Sequence, residues 1–298
     1  MYHPHADEMV QMAMGMMGFW ITHPKAKHPL IDEVDRDFVF LLNAYDIDPG
    51  AATPKIMTML DFNLWSWNSR IFPGIDPLVV KHNDKVRIRI GNLTMTNHPI
   101  HLHGHEFVVT GTDGGPTPKS TRWPEVTTDI AVGQMRQIEF LADEEGDWAF
   151  HCHKSHHTMN AMGHNVPTMI GVDQRGVVKQ ITNLVPDYMA MSERGMHDMT
   201  EMEMPLPDNT APMMAGAGPM GAIGMGGMFS VVKVRKDQKA GDYKDPGWFK
   251  HPAGSVAREW TGALAEPVRS RAAPMSTKAP PTTSVEVRVR KPTGHAGH

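Results

Sequence analysis

The stretch DWAFHCHKSHHTMNAM, residues 147–162, begins as a β-type run and ends as a loop crowded with metal-binding side chains. Its centre is His151-Cys152-His153, in which the only cysteine of the chain stands between two histidines. Met162 lies ten residues beyond that cysteine, with His157 midway. A thiolate, an imidazole and a weak thioether on one short loop are the donors of a blue-copper electron-transfer site. On a strand, neighbouring side chains point to opposite faces, so a Cys152 that faces one metal turns His151 and His153 toward another. One tripeptide can therefore join two metal sites.

Outward from this stretch, short β-type runs recur: FVFLL (38–42), LVV (78–80), VRIRI (86–90), FVVTG (107–111) and QIEFLA (137–142), separated by turn signals such as HND, DGG and EEGD. VRIRI alternates as a half-buried antiparallel strand should. With no long amphipathic helix, the pattern predicts an all-β chain built on a β-sandwich of about 150 residues that ends near Pro186. Residues 1–25 end in GFWI and read as the last piece of a preceding domain, and residues 26–186 as the sandwich. Residues 187–230 form a methionine-rich segment, with eleven methionines between Met189 and Met228, too aperiodic for an ordinary core. FSVVKVR (229–235) can add one strand, and the basic tail of residues 231–298 reads as largely disordered.

Composition narrows the classes. The 298 residues, 40% hydrophobic and 21% charged, suffice for one or two domains with tails. No run of eighteen apolar residues predicts a membrane span, and the start, MYHPHADEMVQ, shows no secretory signal. A single cysteine forbids an internal disulfide. Residues 231–298 carry 13 Lys or Arg against 6 Asp or Glu, which leaves the first 230 residues at −11. These basic residues are scattered, so the tail reads as a solvated extension with no nucleic-acid role.

Upstream of Cys152, NHPIHLHGHEF places His98, His101, His103 and His105 within eight residues. On an extended segment His101, His103 and His105 share one face, while His98 turns elsewhere. YHPH at the start adds His3 and His5 with the same alternation. Each His-x-His pair alone reads more readily as surface or supporting histidine than as a ligand. Three clusters in one sandwich-like chain, one of them with the cysteine, point together to copper.

HPIHLHGHEF and DWAFHCHKSHHTMNAM resemble the third and fourth copper signatures of multicopper oxidases, the laccase and copper-resistance oxidase family, and YHPHADEMVQMAMGMMGFWI resembles the second. The resemblance spans residues 1–175 and implies a cupredoxin-like Greek-key sandwich, preceded by the C-terminal remnant of another cupredoxin domain. By position it implies type 1 copper at His98, Cys152 and His157 with Met162 axial. It implies type 2 copper at His101 and type 3 copper at His3, His5, His103, His151 and His153. His105, His156 and His164 have no ligand role in that pattern, and the family spacing selects Met162 over Met159.

Two departures matter. The first signature, a His-x-His-Gly segment, is absent, so six of eight cluster histidines are present. Only 92 residues separate His5 from His98, which leaves little room for a middle domain. The closest pattern is thus the two-domain type with type 1 copper in the second domain, N-terminally truncated here. There the copper cluster forms between neighbouring subunits, usually of a homotrimer. The resemblance implies one-electron oxidation of a reducing substrate, Cu(I) or phenolic, coupled to reduction of O₂ to water. It also implies a periplasmic or secreted location. The methionine-rich segment favours Cu(I). A copper nitrite reductase would share the sandwich, but its cysteine is not flanked by histidines on both sides. A non-enzymatic copper-binding protein or an inactive fragment is the other alternative.

Overall fold

The computed structural model describes residues 1–47, 51–160, 180, 183, 184, 216–219 and 221–262. All six β-type runs read above lie in strands. They are β1 (Arg36–Tyr45), β3 (Leu78–Lys81), β4 (Lys85–Asn92), β6 (Phe107–Thr112), β10 (Met135–Leu141) and β11 (Gly146–Cys152). Between them run β2 (Leu64–Trp67), β5 (His98–Leu102), β7 (Gly115–Pro116), β8 (Pro124–Glu125) and β9 (Thr127–Ile130). After β11 come a small hairpin, β12 (Gly216–Gly218) with β13 (Gly221–Ile223), and β14 (Phe229–Arg235). Helix is sparse among the described residues: α1 (Glu8–Ala13) and α2 (Ser155–Met159) are short, one turn of 3₁₀ helix lies at Lys119–Thr121, and Gln180, Asn183 and Leu184 are also helical.

One sheet has the order β2-β1-β4-β10-β6-β7, with β8 on β6, and the other the order β3-β14-β11-β5-β9. Successive strands cross between the sheets, which makes a Greek-key sandwich of cupredoxin-like form. Between the sheets lies a dry core in which Phe40, Trp67 and Phe150 meet with ring centroids 5.0–5.7 Å apart. Such tilted aromatic contacts supplement the area they bury. Val86, Ile88 and Ile90 point into this core as the alternation of VRIRI requires. Its other face is more covered than a half-buried strand implies. Arg87 is buried against Glu139, at 2.8 Å, and donates to the Asp32 carbonyl.

The sandwich does not end near Pro186. β14 pairs antiparallel with β11 and parallel with β3, so residues read as the start of a disordered tail form an inner strand. Every residue of β14 is buried. The two basic residues that suggested solvent are paired: Lys233 with Asp245 at 2.7 Å and Arg235 with Asp147 at 2.6 Å. Burial of Val232 and Val234 in the core, with Phe229 and Val231 packed and Lys233 and Arg235 ion-paired on the other face, outweighs the charge of the surrounding sequence. The end of the methionine-rich segment is also structural, since Met228 is fully buried in the core. Residues 187–215 and 220 of that segment, Met162 and residues 263–298 lie outside the described residues.

Residues 1–20 fold back on themselves through a Tyr2–Gly18 bridge and lie on the first sheet, where Met1 and Phe19 cover Gly91 and Met17 meets Asn43. The chain divides into two units, Met1–Lys250 and His251–His298. In the second, residues 251–262 hold turns with neither strand nor helix.

Candidate metal centres

β5 and β11 are hydrogen-bonded neighbours, with His151 opposite His101 and Cys152 opposite Ile100. The strand period of two then sorts the side chains. His98, Ile100 and Leu102 of β5 face the core with Phe150 and Cys152, while His101 and His151 face outward. Beyond β11, α2 brings His157 back over the cysteine, and Asn160, at φ 51°, turns the chain out of that helix. The short turn is pinned to the sandwich: Gly227 and Met228 N–H donate to the Thr158 and His157 carbonyls, and Cys152 N–H donates to Met228. A Cβ at Gly227 would collide with the His157 carbonyl.

The inner group consists of His98, Cys152 and His157, all buried. Cys152 Sγ lies 3.6 Å from His98 Nδ1 and 3.7 Å from His157 Nδ1, and the two nitrogens are 3.1 Å apart. The Thr94 hydroxyl lies 2.8 Å from Asn92 Oδ1, to which it donates, and so accepts from His98 Nε2–H at 2.7 Å. That tautomer leaves the Nδ1 lone pair facing the sulfur. Burial, aided by Lys154 and His156, lowers the His98 pKa to about 3. Burial and then His98 lower His157 to about 2. Both imidazoles are neutral ligands at physiological pH. Burial pushes the Cys152 thiol up to about 12, so a cation must displace its proton. A trigonal arrangement of two imidazoles and a sulfur in a dry pocket suits copper by donor softness and geometry.

The outer group consists of His101, His103 and His151, whose ligand atoms lie within 4.8 Å of one another. His103 Nε2 and His151 Nε2 are 3.1 Å apart. His151 Nδ1 bonds the Cys152 carbonyl and His101 Nδ1 the Thr127 hydroxyl, so the other ring nitrogens stay available. Burial lowers the pKa of His151 to about 4 and also depresses those of His101 and His103. His153 is exposed, with its ring centroid 5.2 Å from that of His101 and 5.5 Å from that of His151. The inner and outer groups are joined by the backbone of residues 151–153.

Not every expected residue joins a group. His3 and His5 pair with each other, centroids 4.9 Å apart, and His3 meets Glu8; neither belongs to the outer group. His105 leaves the face shared by His101 and His103 because Gly104, at φ 70°, turns the chain there. It is buried instead beside Phe140 and Trp148. A Cβ at Gly104 would strike the Trp148 ring. Met162 lies outside the described residues.

Several contributors carry no motif. Lys154 ties the two inner-group loops by donating to Thr96 Oγ1 at 2.8 Å and Asn97 Oδ1 at 2.6 Å. Trp65 stacks on His157, centroids 4.6 Å apart and planes at 21°. The tryptophan-rich run LWSW was the only sequence signal for the latter.

Residues 48–171 match the multicopper oxidase family. The chain is 38% identical over 93 residues to copper resistance protein A of Pseudomonas syringae pv. tomato, covering 31% of this chain and 14% of that protein. It is 32% identical over 98 residues to the multicopper oxidase MmcO of Mycobacterium tuberculosis, covering 33% and 18%. These matches thus span less than a fifth of each relative's own length. Among solved structures, a blue copper oxidase from Nitrosomonas europaea is 27% identical, with a TM-score of 0.39 over 46% of this chain and 43% of that one.

Proposed function

We propose that this chain, whose residues 48–171 belong to the multicopper oxidase family, works as the part of an oxidase that accepts electrons singly and passes them toward O₂. The observation that carries the reading is the opposed facing of Cys152 and its two histidine neighbours, with a separate ligand group on each side. Copper, when bound, supplies one-electron acceptance at the inner group and four-electron reduction of O₂ to water at the histidine group. His98, Cys152 and His157 would hold type 1 copper, with Met162 as the further ligand that the family resemblance implies. His101 would hold type 2 copper, and His103, His151 and His153 would contribute to the type 3 pair. The residues' own task is to stay neutral and aimed: Thr94 fixes His98, the Cys152 carbonyl fixes His151, and Thr127 fixes His101.

His3 and His5 complete the type 3 ligands in this reading, and because they stand apart from the outer group, a second copy would supply them. The family resemblance favours a homotrimer, with residues 1–25 as the end of a preceding domain. Light scattering of the copper-loaded chain tests this, and a monomer refutes it. A periplasmic or secreted location follows from the same resemblance. No described helix is long and apolar enough to cross a membrane.

Cu(I) is the favoured substrate, with phenols second. A cavity of about 220 Å³ is lined by Met9, Met12, Met17, Met59 and Met95 and reaches Thr94, the hydrogen-bond partner of His98. Thioethers are soft donors that suit cuprous ion. A second reading, a copper-binding protein without turnover, is favoured by the count of six cluster histidines where the family pattern has eight. Counting copper per chain alongside optical and spin-resonance spectra separates the two. The oxidase reading expects a blue copper together with a coupled pair. Blue copper alone supports the binding protein, and no blue copper overturns both.

A further inference from the structure

Both inner-group imidazoles are almost fully hidden, at 0% exposure for His98 and 1% for His157. For His98 this follows from its place on an inner strand. His157 has no such protection, since it sits on a five-residue helix beyond the end of β11. Its cover comes from Trp65 of β2, in the opposite sheet. The indole lies nearly parallel to the imidazole, and His156 meets both rings edge-on, with centroids 4.2 Å from His157 and 5.3 Å from Trp65. The stack is held at the backbone as well. Asn160 accepts from Trp65 N–H at 2.8 Å through Oδ1, and its Nδ2 donates to the Trp65 carbonyl at 3.2 Å and to that of Gly226 at 2.7 Å. The residue that ends α2 thus grips the strand that carries the indole, and no other described aromatic residue stacks face to face on an inner-group ligand.

We infer that Trp65 is a positioning residue for the inner copper site: it fixes the plane of His157 and keeps water from that ligand. This rests on the reading of His98, Cys152 and His157 as a copper site. With its thiolate bound, the site carries one positive charge when oxidised and none when reduced. Water reaching His157 therefore favours the oxidised form and lowers the potential, whereas the indole opposes this. An aromatic ring of another size can keep the stack; an aliphatic chain cannot.

The test uses the copper-loaded chain, W65F and W65L. W65F is expected to keep the blue absorption and its oxidised-to-reduced ratio at fixed poise. W65L should move that ratio about tenfold toward the oxidised form, equivalent to about 59 mV for one electron, and release copper severalfold faster. If W65L matches W65F in ratio and release, Trp65 merely fills space and the inference falls. Should W65L fail to fold, proton resonances of the reduced, diamagnetic wild-type chain decide. Ring protons of His157 shifted upfield by the indole support the stack, and unshifted ones overturn it. A wild-type chain that takes up no blue copper refutes the reading beneath this inference. A blue wild-type with an unchanged W65L refutes the inference alone.

Discussion

Copper uptake at the inner group should tighten about tenfold for each unit of pH between about 5 and 8, because binding displaces one proton throughout that range. The apo thiol of Cys152, raised to about 12 by burial, stays protonated over the whole interval and must give its proton up. The imidazoles of His98 and His157, lowered to about 3 and about 2, are already neutral and release none. The sign follows directly: fewer free protons favour the metal-bound thiolate, so affinity rises with pH, by about 1.4 kcal/mol per unit. An unfolded chain with ordinary histidines near 6.5 would behave otherwise, losing up to three protons per metal toward about pH 5. The assay follows the blue band while a chelator of known pH dependence competes for copper, with proton release into weakly buffered solution as a check. A slope of two or more at the acid end would show that the apo imidazoles are charged. A slope of zero would show a thiol ionised before copper arrives. Either result refutes the account of a dry, preformed pocket.

Two further outcomes are expected. Cys152→Ser should abolish the blue absorption and lower the copper count by one per chain while copper at His101, His103 and His151 stays bound; a blue variant would refute the assignment. Gly104→Ala meets both a left-handed backbone, φ 70°, and the Trp148 ring. It should cost about 2–3 kcal/mol, read as a lower denaturant midpoint at constant slope, and an unchanged midpoint would mean that the turn relaxes freely.

The inward facing of His98 and Cys152 was legible because strand alternation is local. Once β5 and β11 are recognised as strands, Cys152 and His98 must face inward and His101 and His151 outward. The six regular runs were legible for the same reason. β2 and β9 were not, since LWSW and TTDI are short and carry little alternation. β14 was only half legible: FSVVKVR looks like a strand, but nothing local says that it fills the space between β11 and β3 rather than opening a basic tail. His105 misled by its spacing, because continuing the face of His101 and His103 assumes an extended chain and Gly104 ends it. The separation of His3 and His5 from the outer group is likewise invisible to spacing, as it depends on how residues 1–20 lie on the first sheet.

The insertion of β14 beside β11 sets an order of events during synthesis. β11 leaves the ribosome 77 residues before Phe229, and in that interval one edge of the cysteine strand has no partner from its own sheet. The amide of Cys152 and the carbonyls of His157 and Thr158 wait on Gly227 and Met228, and the ion pair of Asp147 waits on Arg235. A nascent chain therefore displays all its inner-group ligands well before it can enclose them. The pocket around His98, Cys152 and His157 closes only when the later strand slots in, so its enclosure depends on residues made 75 or more positions after the cysteine.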